Sequence, residues 1–364
     1  MKTVLLTGFP GFLGSALVER LLDRYPTNTT VTCVIQGRWR ALAEQKKRTI
    51  EFAKPTRKDR ILLVEGDITR PGLGMASQLK QLYPNILEIY HLAAVYDLSV
   101  RPDFAQKVNV EGTRNVLDIA ERCPNLTRFQ YVSTCYVSGR YDGVYYETDL
   151  EKGQIFNNFY EETKFRAEVE VQERMANGLP TSIYRPGIVV GDSKTGQTQK
   201  YDGPYVILKL LMNQTALAFM PTIDDPQKYT VNVVPQDFVV NALDYLSAQT
   251  ASQNKVYQLA NPHPPTVDDL INLFAENTAR SVVKIPVPEL WAKGALTLIP
   301  FAQDLVGVKP EALDYFTHPT HYDVHNTLTD LGGSSIFCPP LPSYIRTLVA
   351  YMKQHPDISG KAMV

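Results

Sequence analysis

The chain has 364 residues, 37 of them basic and 38 acidic, for a formal net charge of −1. That length supports a large α/β core with a smaller lobe, and the balanced charge, with no basic stripe, argues against a nucleic-acid partner. No apolar run reaches the roughly 18–20 residues of a membrane helix, the N-terminus has no small-residue cleavage site, and Cys33, Cys123, Cys135 and Cys338 show no metal spacing, so the expectation is a cytoplasmic protein with reduced thiols and no metal.

Residues 4–6 form an apolar run that predicts a strand, and Leu13, Leu17 and Leu21 predict the stripe of a helix. Between them lie three glycines in Gly8-Phe9-Pro10-Gly11-Phe12-Leu13-Gly14. Gly8 permits a tight turn, Gly11 lets backbone N–H groups approach a pyrophosphate, and Gly14 lets the helix pack close to the strand. The helix then turns its free N–H groups and positive dipole end toward the anion. These seven residues are the candidate phosphate loop.

A second strand over 30–35 ends in Gln36-Gly37-Arg38-Trp39-Arg40, with no acidic residue between Asp23 and Glu44. An acid here would bind the ribose 2′-hydroxyl of NAD, whereas a guanidinium grips a 2′-phosphate bidentately. Gln36 and Arg38, with Arg40 second, therefore predict NADPH. Strand three, 61–65, leads to Gly66-Asp67-Ile68. Strand four, 86–90, leads to His91-Leu92-Ala93-Ala94, and the small Ala93 and Ala94 let a cofactor lie against the strand ends. His91 reads as a packed structural histidine. Asn109, on the following helix, either holds an active-site water or locks a strand.

Strand five, 129–134, brings Ser133 and Thr134 to its end, and Tyr160 follows 26 residues past Thr134. Tyr160 and Lys164 are four apart and share a helix face. A tyrosine with its free pKa of about 10 is a poor acid–base group, and a nearby ammonium would lower that value. A strand-end hydroxyl, a tyrosine and a lysine together suit hydride transfer: a nicotinamide delivers hydride and Tyr160 delivers the proton.

The glycine loop, the Ser133-Thr134 strand end and the Tyr160/Lys164 pair, in this order, resemble the extended branch of the short-chain dehydrogenase/reductase superfamily. Arg185-Pro186-Gly187, followed by Gly191-Asp192-Ser193-Lys194-Thr195-Gly196, resembles more narrowly the thioester reductases. That group includes the male-sterility-like fatty acyl-CoA reductases and the terminal reductase domains of carboxylic acid reductases and peptide synthetases. The resemblance implies a doubly wound parallel sheet (Rossmann) with a smaller C-terminal substrate-binding lobe. It implies a catalytic Thr134, Tyr160 and Lys164, with Ser133 the fallback hydroxyl. It places Asp67 and Ile68 at the adenine, Lys164 also at the nicotinamide ribose, and Pro186, Gly187 and Ile188 at the carboxamide. It implies NADPH-dependent reduction of an acyl thioester or related lipophilic carbonyl, releasing an aldehyde or alcohol, and pairing of two copies through the Tyr160 helix. The chain departs from the group after the loop, at Gln197-Thr198-Gln199-Lys200. An aldehyde or ketone reductase, or a 3-hydroxy dehydrogenase, is the alternative. A nucleotide-sugar epimerase or dehydratase normally carries an acid where this chain has Gln36-Gly37-Arg38, and a non-catalytic dinucleotide sensor typically lacks the Tyr/Lys pair.

The expected division is a cofactor domain over 1–186, with returns near 229–260, and a substrate lobe interleaved through 187–364. The 191–203 loop either reads the acyl substrate or only covers the nicotinamide pocket. Residues 290–302, apolar and broken by Gly294 and Pro300, wall a lipophilic channel, touch a membrane surface, or fill the lobe's core. His318, His321, His325 and Asp323 cluster in sequence, but Pro319 disfavours one helix through them and the chemistry needs no metal.

Overall fold

The computed structural model describes residues 2–223, 225–288 and 310–360; the 290–302 segment lies outside them. Thirteen strands occur among the described residues: β1 (Lys2–Thr7), β2 (Thr29–Ile35), β3 (Ile61–Glu65), β4 (Ile86–His91), β5 (Arg128–Val132), β6 (Gly143–Tyr145), β7 (Thr181–Pro186), β8 (Ile188–Val190), β9 (Leu217–Ile223), β10 (Val233–Pro235), β11 (Lys255–Leu259), β12 (Ser281–Val287) and β13 (Thr320–Tyr322). Seven of them make one parallel sheet in the order β11-β7-β5-β4-β1-β2-β3. β2, β5 and β7 are buried along their whole length, as interior strands of a parallel sheet covered on both faces are.

Helices cover both faces. On one, α1 (Phe12–Arg24) packs with α8 (Gln236–Ala248) through Leu17, Leu21, Phe238, Val239 and Leu243. On the other, α5 (Gly112–Ala120) and α6 (Phe159–Ala176) press Val116, Leu117, Ala167 and Val171 onto Leu5, Ile89, Phe129 and Ile183. Between α4 (Pro102–Ala105) and α5 the helix widens into a π segment, Gln106–Glu111, which carries Asn109 inward. Such widenings recur at functional sites.

The chain leaves the sheet at Gly187. β7 belongs to the large sheet, whereas β8, one residue on, pairs with β10. A Cβ at Gly187 would stand 2.7 Å from the Asn232 carbonyl oxygen, so the crossing needs glycine. A second core lies beyond it, formed by α7 (Tyr205–Met212), α9 (Val267–Thr278) and the C-terminal helix Ile345–Gln354. That last helix starts at Ile345, because Tyr344 (φ −128, ψ −5) falls outside helical geometry.

Candidate active site

The carboxyl ends of β1, β2, β4, β5 and β7 open onto one cavity of about 420 Å³. This is where open α/β sheets hold their ligands. Gly8, Phe9, Pro10, Gly11, Phe12, Leu13 and Gly14 line one end, with Gln36, Arg38, Ile68, Ala93 and Ala94 beside them. Lys164, Pro186, Gly187 and Ile188 line the middle, with Thr134 and Tyr160. Asp67 falls outside the lining. Its carboxylate accepts from the Thr69 N–H at 2.9 Å and the Thr69 hydroxyl at 2.8 Å, closing its own loop.

The glycine loop fits a dinucleotide pyrophosphate on two observations. Gly8 has φ +96, and a Cβ there would stand 2.9 Å from Leu92; one at Gly11 would stand 2.8 Å from the Gly8 carbonyl oxygen. α1 is capped by Gly11, which has no side chain to accept from the first turn's N–H groups, so those donors are left for an anion.

Around the loop, polar groups pin the strand ends together. The Thr7 hydroxyl lies 2.7 Å from His91 Nδ1 and accepts from the Ala93 N–H at 3.2 Å. His91 Nε2 lies 3.0 Å from the Thr113 hydroxyl, which donates to the Asn109 carbonyl at 2.6 Å. Burial, with the Lys164 charge nearby, drops the His91 pKa to about 3, so it is a neutral structural bridge. Asn109 Oδ1 accepts from the Val95 N–H at 2.9 Å, and its Nδ2 donates to the Thr163 hydroxyl at 3.0 Å. Asn109 thus ties the loop after β4 to α6 rather than locking a strand.

Asn158 opens α6 by accepting from the Glu161 N–H at 3.0 Å, a helix N-cap bond. That start fixes the phase that turns Tyr160 and Lys164 inward; both are buried. The Lys164 ammonium donates to the Tyr131 hydroxyl and the Val132 carbonyl, each at 2.9 Å, and burial pulls its pKa down to about 7. Tyr160 departs from expectation. Its pKa is raised above the ordinary value by burial, with a hydrogen bond to Thr134 only partly opposing this. Two of the lysine's three donors are engaged on β5 rather than on Tyr160, and the phenol is held neutral. Thr134 accepts from the Tyr136 N–H at 3.3 Å. The Ser133 hydroxyl is committed elsewhere, to Glu168 at 2.5 Å, which favours Thr134 of the two.

At the ribose end, Arg38 donates from Nε (2.9 Å) and Nη2 (2.6 Å) to Gln36 Oε1 and is exposed to solvent. Arg40 pairs with Glu44 along its own helix at 3.7 Å. Sequence reasoning missed Glu65: a Cβ at Gly37 would meet its carboxylate at 2.5 Å, so an acid borders this turn from β3 although β2 ends without one.

It also missed Tyr96, Tyr136 and Tyr315, which line the cavity, whereas Lys200 and Asp202 line it from within the 191–203 loop already expected at the pocket. The Tyr96 and Tyr160 rings meet edge-on at 5.0 Å, and Tyr136 and Tyr315 at 4.7 Å. Lys200 pairs with Asp202 at 2.7 Å and sits 4.3 Å from the Tyr96 ring centre. Tyr96 and Tyr136 each stand two residues beyond a predicted site residue, which is a usable signal; Tyr315 had none. The 191–203 loop is anchored by Ser193 donating to Asp237 (2.6 Å) and by the Gly191 N–H donating to Tyr205 (2.9 Å), while Thr198 to Lys200 face the cavity. His318 packs between Tyr136 and Tyr322, its Nε2 2.8 Å from the Tyr322 hydroxyl.

Residues 6–243 match the male sterility protein family. The chain belongs to that family. It is an extended short-chain dehydrogenase/reductase, in the group of the thioester and fatty acyl-CoA reductases, whose members are NAD(P)-dependent oxidoreductases. It is 30% identical over 298 residues to a linear gramicidin synthase chain of Brevibacillus parabrevis, covering 79% of this chain and 6% of that one. It is 27% identical over 278 residues to fatty acyl-CoA reductase 1 of Gallus gallus, covering 66% and 53%. The terminal R domain from the myxalamid PKS-NRPS biosynthetic pathway superposes with a TM-score of 0.81 at 26% identity, over 98% of this chain and 91% of that one. The chain thus spans at most about half the length of these two curated relatives. Among the described residues no helix is long and apolar enough to cross a membrane.

Proposed function

We propose that this protein is an NADPH-dependent reductase of acyl thioesters, with Thr134, Tyr160 and Lys164 as its catalytic residues and a CoA- or carrier-linked acyl group as substrate. The observation that carries this reading is the lining of the cavity. The glycine loop, the Thr134 hydroxyl, the Tyr160 phenol and the Lys164 ammonium all line one cavity, and Tyr96, Tyr136 and Tyr315 line it with them. Similarity to a gramicidin synthase and to fatty acyl-CoA reductases supports a thioester over other carbonyls. Arg38 supports NADPH, because among the described residues its guanidinium has no carboxylate partner and suits a 2′-phosphate.

In this reading a nicotinamide held by Lys164, Pro186, Gly187 and Ile188 would supply the hydride that the carbonyl carbon takes up. Thr134 donates a hydrogen bond to the carbonyl oxygen and orients it. Tyr160 gives that oxygen its proton, forming a hemithioacetal, which splits into aldehyde and free thiol. Burial keeps the Tyr160 phenol protonated before hydride arrives but weakens it as an acid, so its proton moves only as negative charge develops on the carbonyl oxygen. Lys164 holds the ribose and places a positive charge near the developing oxyanion. Tyr96, Tyr136 and Tyr315 exclude water from the reacting carbon.

The test follows NADPH oxidation and thiol appearance together, across acyl-CoAs of several lengths, carrier-bound acyl groups, aldehydes and ketones. One thiol released per thioester reduced is the expected result. NADPH consumed by aldehydes or ketones alone, with no thiol from any thioester, would replace this reading with a carbonyl reductase.

A further inference from the structure

Behind the cavity wall lies an ion pair that the mechanism above does not use. Arg185, at the end of β7, and Glu168, on α6, are both fully buried. Glu168 Oε1 accepts from Arg185 Nε at 2.9 Å and Nη2 at 2.6 Å, and Oε2 accepts from the Ser133 hydroxyl at 2.5 Å. Gln172 Nε2 adds a bond at 3.0 Å. Arg185 also donates to the Asp149 carbonyl at 2.7 Å, and its own carbonyl accepts from the Cys135 thiol at 3.0 Å. Three elements therefore converge on one carboxylate, and each carries a site residue immediately beside the contact. Thr134 lies between Ser133 and Cys135, Pro186 follows Arg185, and Lys164 sits one helical turn before Glu168.

We infer that Glu168 is a positioning residue for the reaction: one buried carboxylate that sets Thr134 through Ser133, sets the Pro186 turn through Arg185, and holds the charge of Lys164 from one turn away. A buried ion pair is a poor way to gain stability, because desolvation offsets most of the attraction. An apolar pair would fill the same space, but it would not set the register of three elements to one another, nor supply negative charge to Lys164. The groups facing Lys164 are Tyr131 on β5, His91 on β4, and Tyr160 and Glu168 on α6, with Arg185 on β7 behind them. Among these, Glu168 is the carboxylate that favours the charged ammonium against burial.

The inference rests on the Thr134, Tyr160 and Lys164 assignment. Its test compares Glu168→Gln, Glu168→Asp, Ser133→Ala and Tyr160→Phe with wild type, reading kcat, KM, thermal midpoint and NADPH affinity against pH. Glu168→Gln is expected to lower kcat at least ~10-fold and to move the pH midpoint of NADPH binding downward, since an uncompensated Arg185 then faces Lys164. Glu168→Asp retains the charge, so it should keep the midpoint, while losing kcat because the shorter side chain cannot reach both partners. A folded Glu168→Gln with wild-type kcat or an unmoved midpoint overturns the inference. If that variant does not fold, Ser133→Ala decides: a roughly 3–10-fold loss of kcat at unchanged KM and thermal midpoint supports it, and wild-type kcat overturns it. Tyr160→Phe separates the two readings, because sustained turnover there sinks the acid assignment irrespective of how the Glu168 variants behave.

Discussion

At the scale of single residues, the site divides its labour by burial. Tyr160 is kept protonated and Lys164 is brought close to neutrality, both by desolvation. Tyr160→Phe keeps the ring and deletes the proton, so turnover should fall by about 10²–10⁴ with NADPH still bound; a near-normal rate refutes the assignment. Thr134→Val deletes one oriented donor and should cost on the order of 10² in rate, with Thr134→Ser retaining much of the activity. Arg38→Asp should erase or invert a preference for NADPH of at least ~10-fold, about 1.4 kcal/mol, and equal affinity of the wild type for NADPH and NADH would remove the basis for it. Lys164 is charged below about pH 7 and neutral above it. NADPH affinity of the free enzyme should therefore weaken as pH rises through that value, and Lys164→Met should flatten the curve. An identical curve in the variant would show that the ammonium does not hold the cofactor.

Elements are where the sequence was most and least legible. β1, the glycine turn and α1 could be read directly, because three glycines between an apolar run and a helical stripe leave the chain few alternatives. Gly14→Ala tests the turn: its methyl would press on the Gly8 carbonyl oxygen, driving α1 off β1. NADPH affinity should drop more than thermal stability does, and unchanged affinity would mean that the loop tolerates the shift. The parallel strands could also be read, as short runs carrying β-branched and aromatic residues between turn signals. β9 and β12 could not. Pro221 and Pro286 break their patterns, and Leu217, Phe219, Val283 and Ile285 are exposed where a strand's second face would be polar. The Tyr/Lys pair was visible from its spacing. The raised pKa of Tyr160 was not, because it follows from burial supplied by residues far away in sequence, Tyr96 and Tyr136 among them.

For the molecule as a whole, two buried histidines contribute to the response to acid. Burial drops His91 and His318 from 6.5 to about 3. Between those values the unfolded chain binds more protons than the folded one, so their stabilising contribution is present above pH 6.5 and is lost as pH falls toward 3. The thermal midpoint should fall across that window, and His91→Gln or His318→Gln should make the fall shallower. Equal slopes in all three proteins would assign acid sensitivity to other groups. The sheet order has a different consequence, one for synthesis. β11 is residues 255–259, yet it pairs with β7, and Phe238, Leu243, Tyr257 and Leu259 belong to the same core as Val4 and Leu17. A nascent chain that has delivered only its first 186 residues holds the whole glycine loop and the Tyr160 helix, but it lacks the strand and the helix that cover them. It must wait, with an unpaired β7 edge, until roughly another 75 residues have left the ribosome, a delay on the order of 4–15 s at typical elongation rates. A fragment ending at 186 should aggregate, whereas one ending near 262 should begin to protect β7 from hydrogen exchange. The cofactor site, encoded first, is finished late.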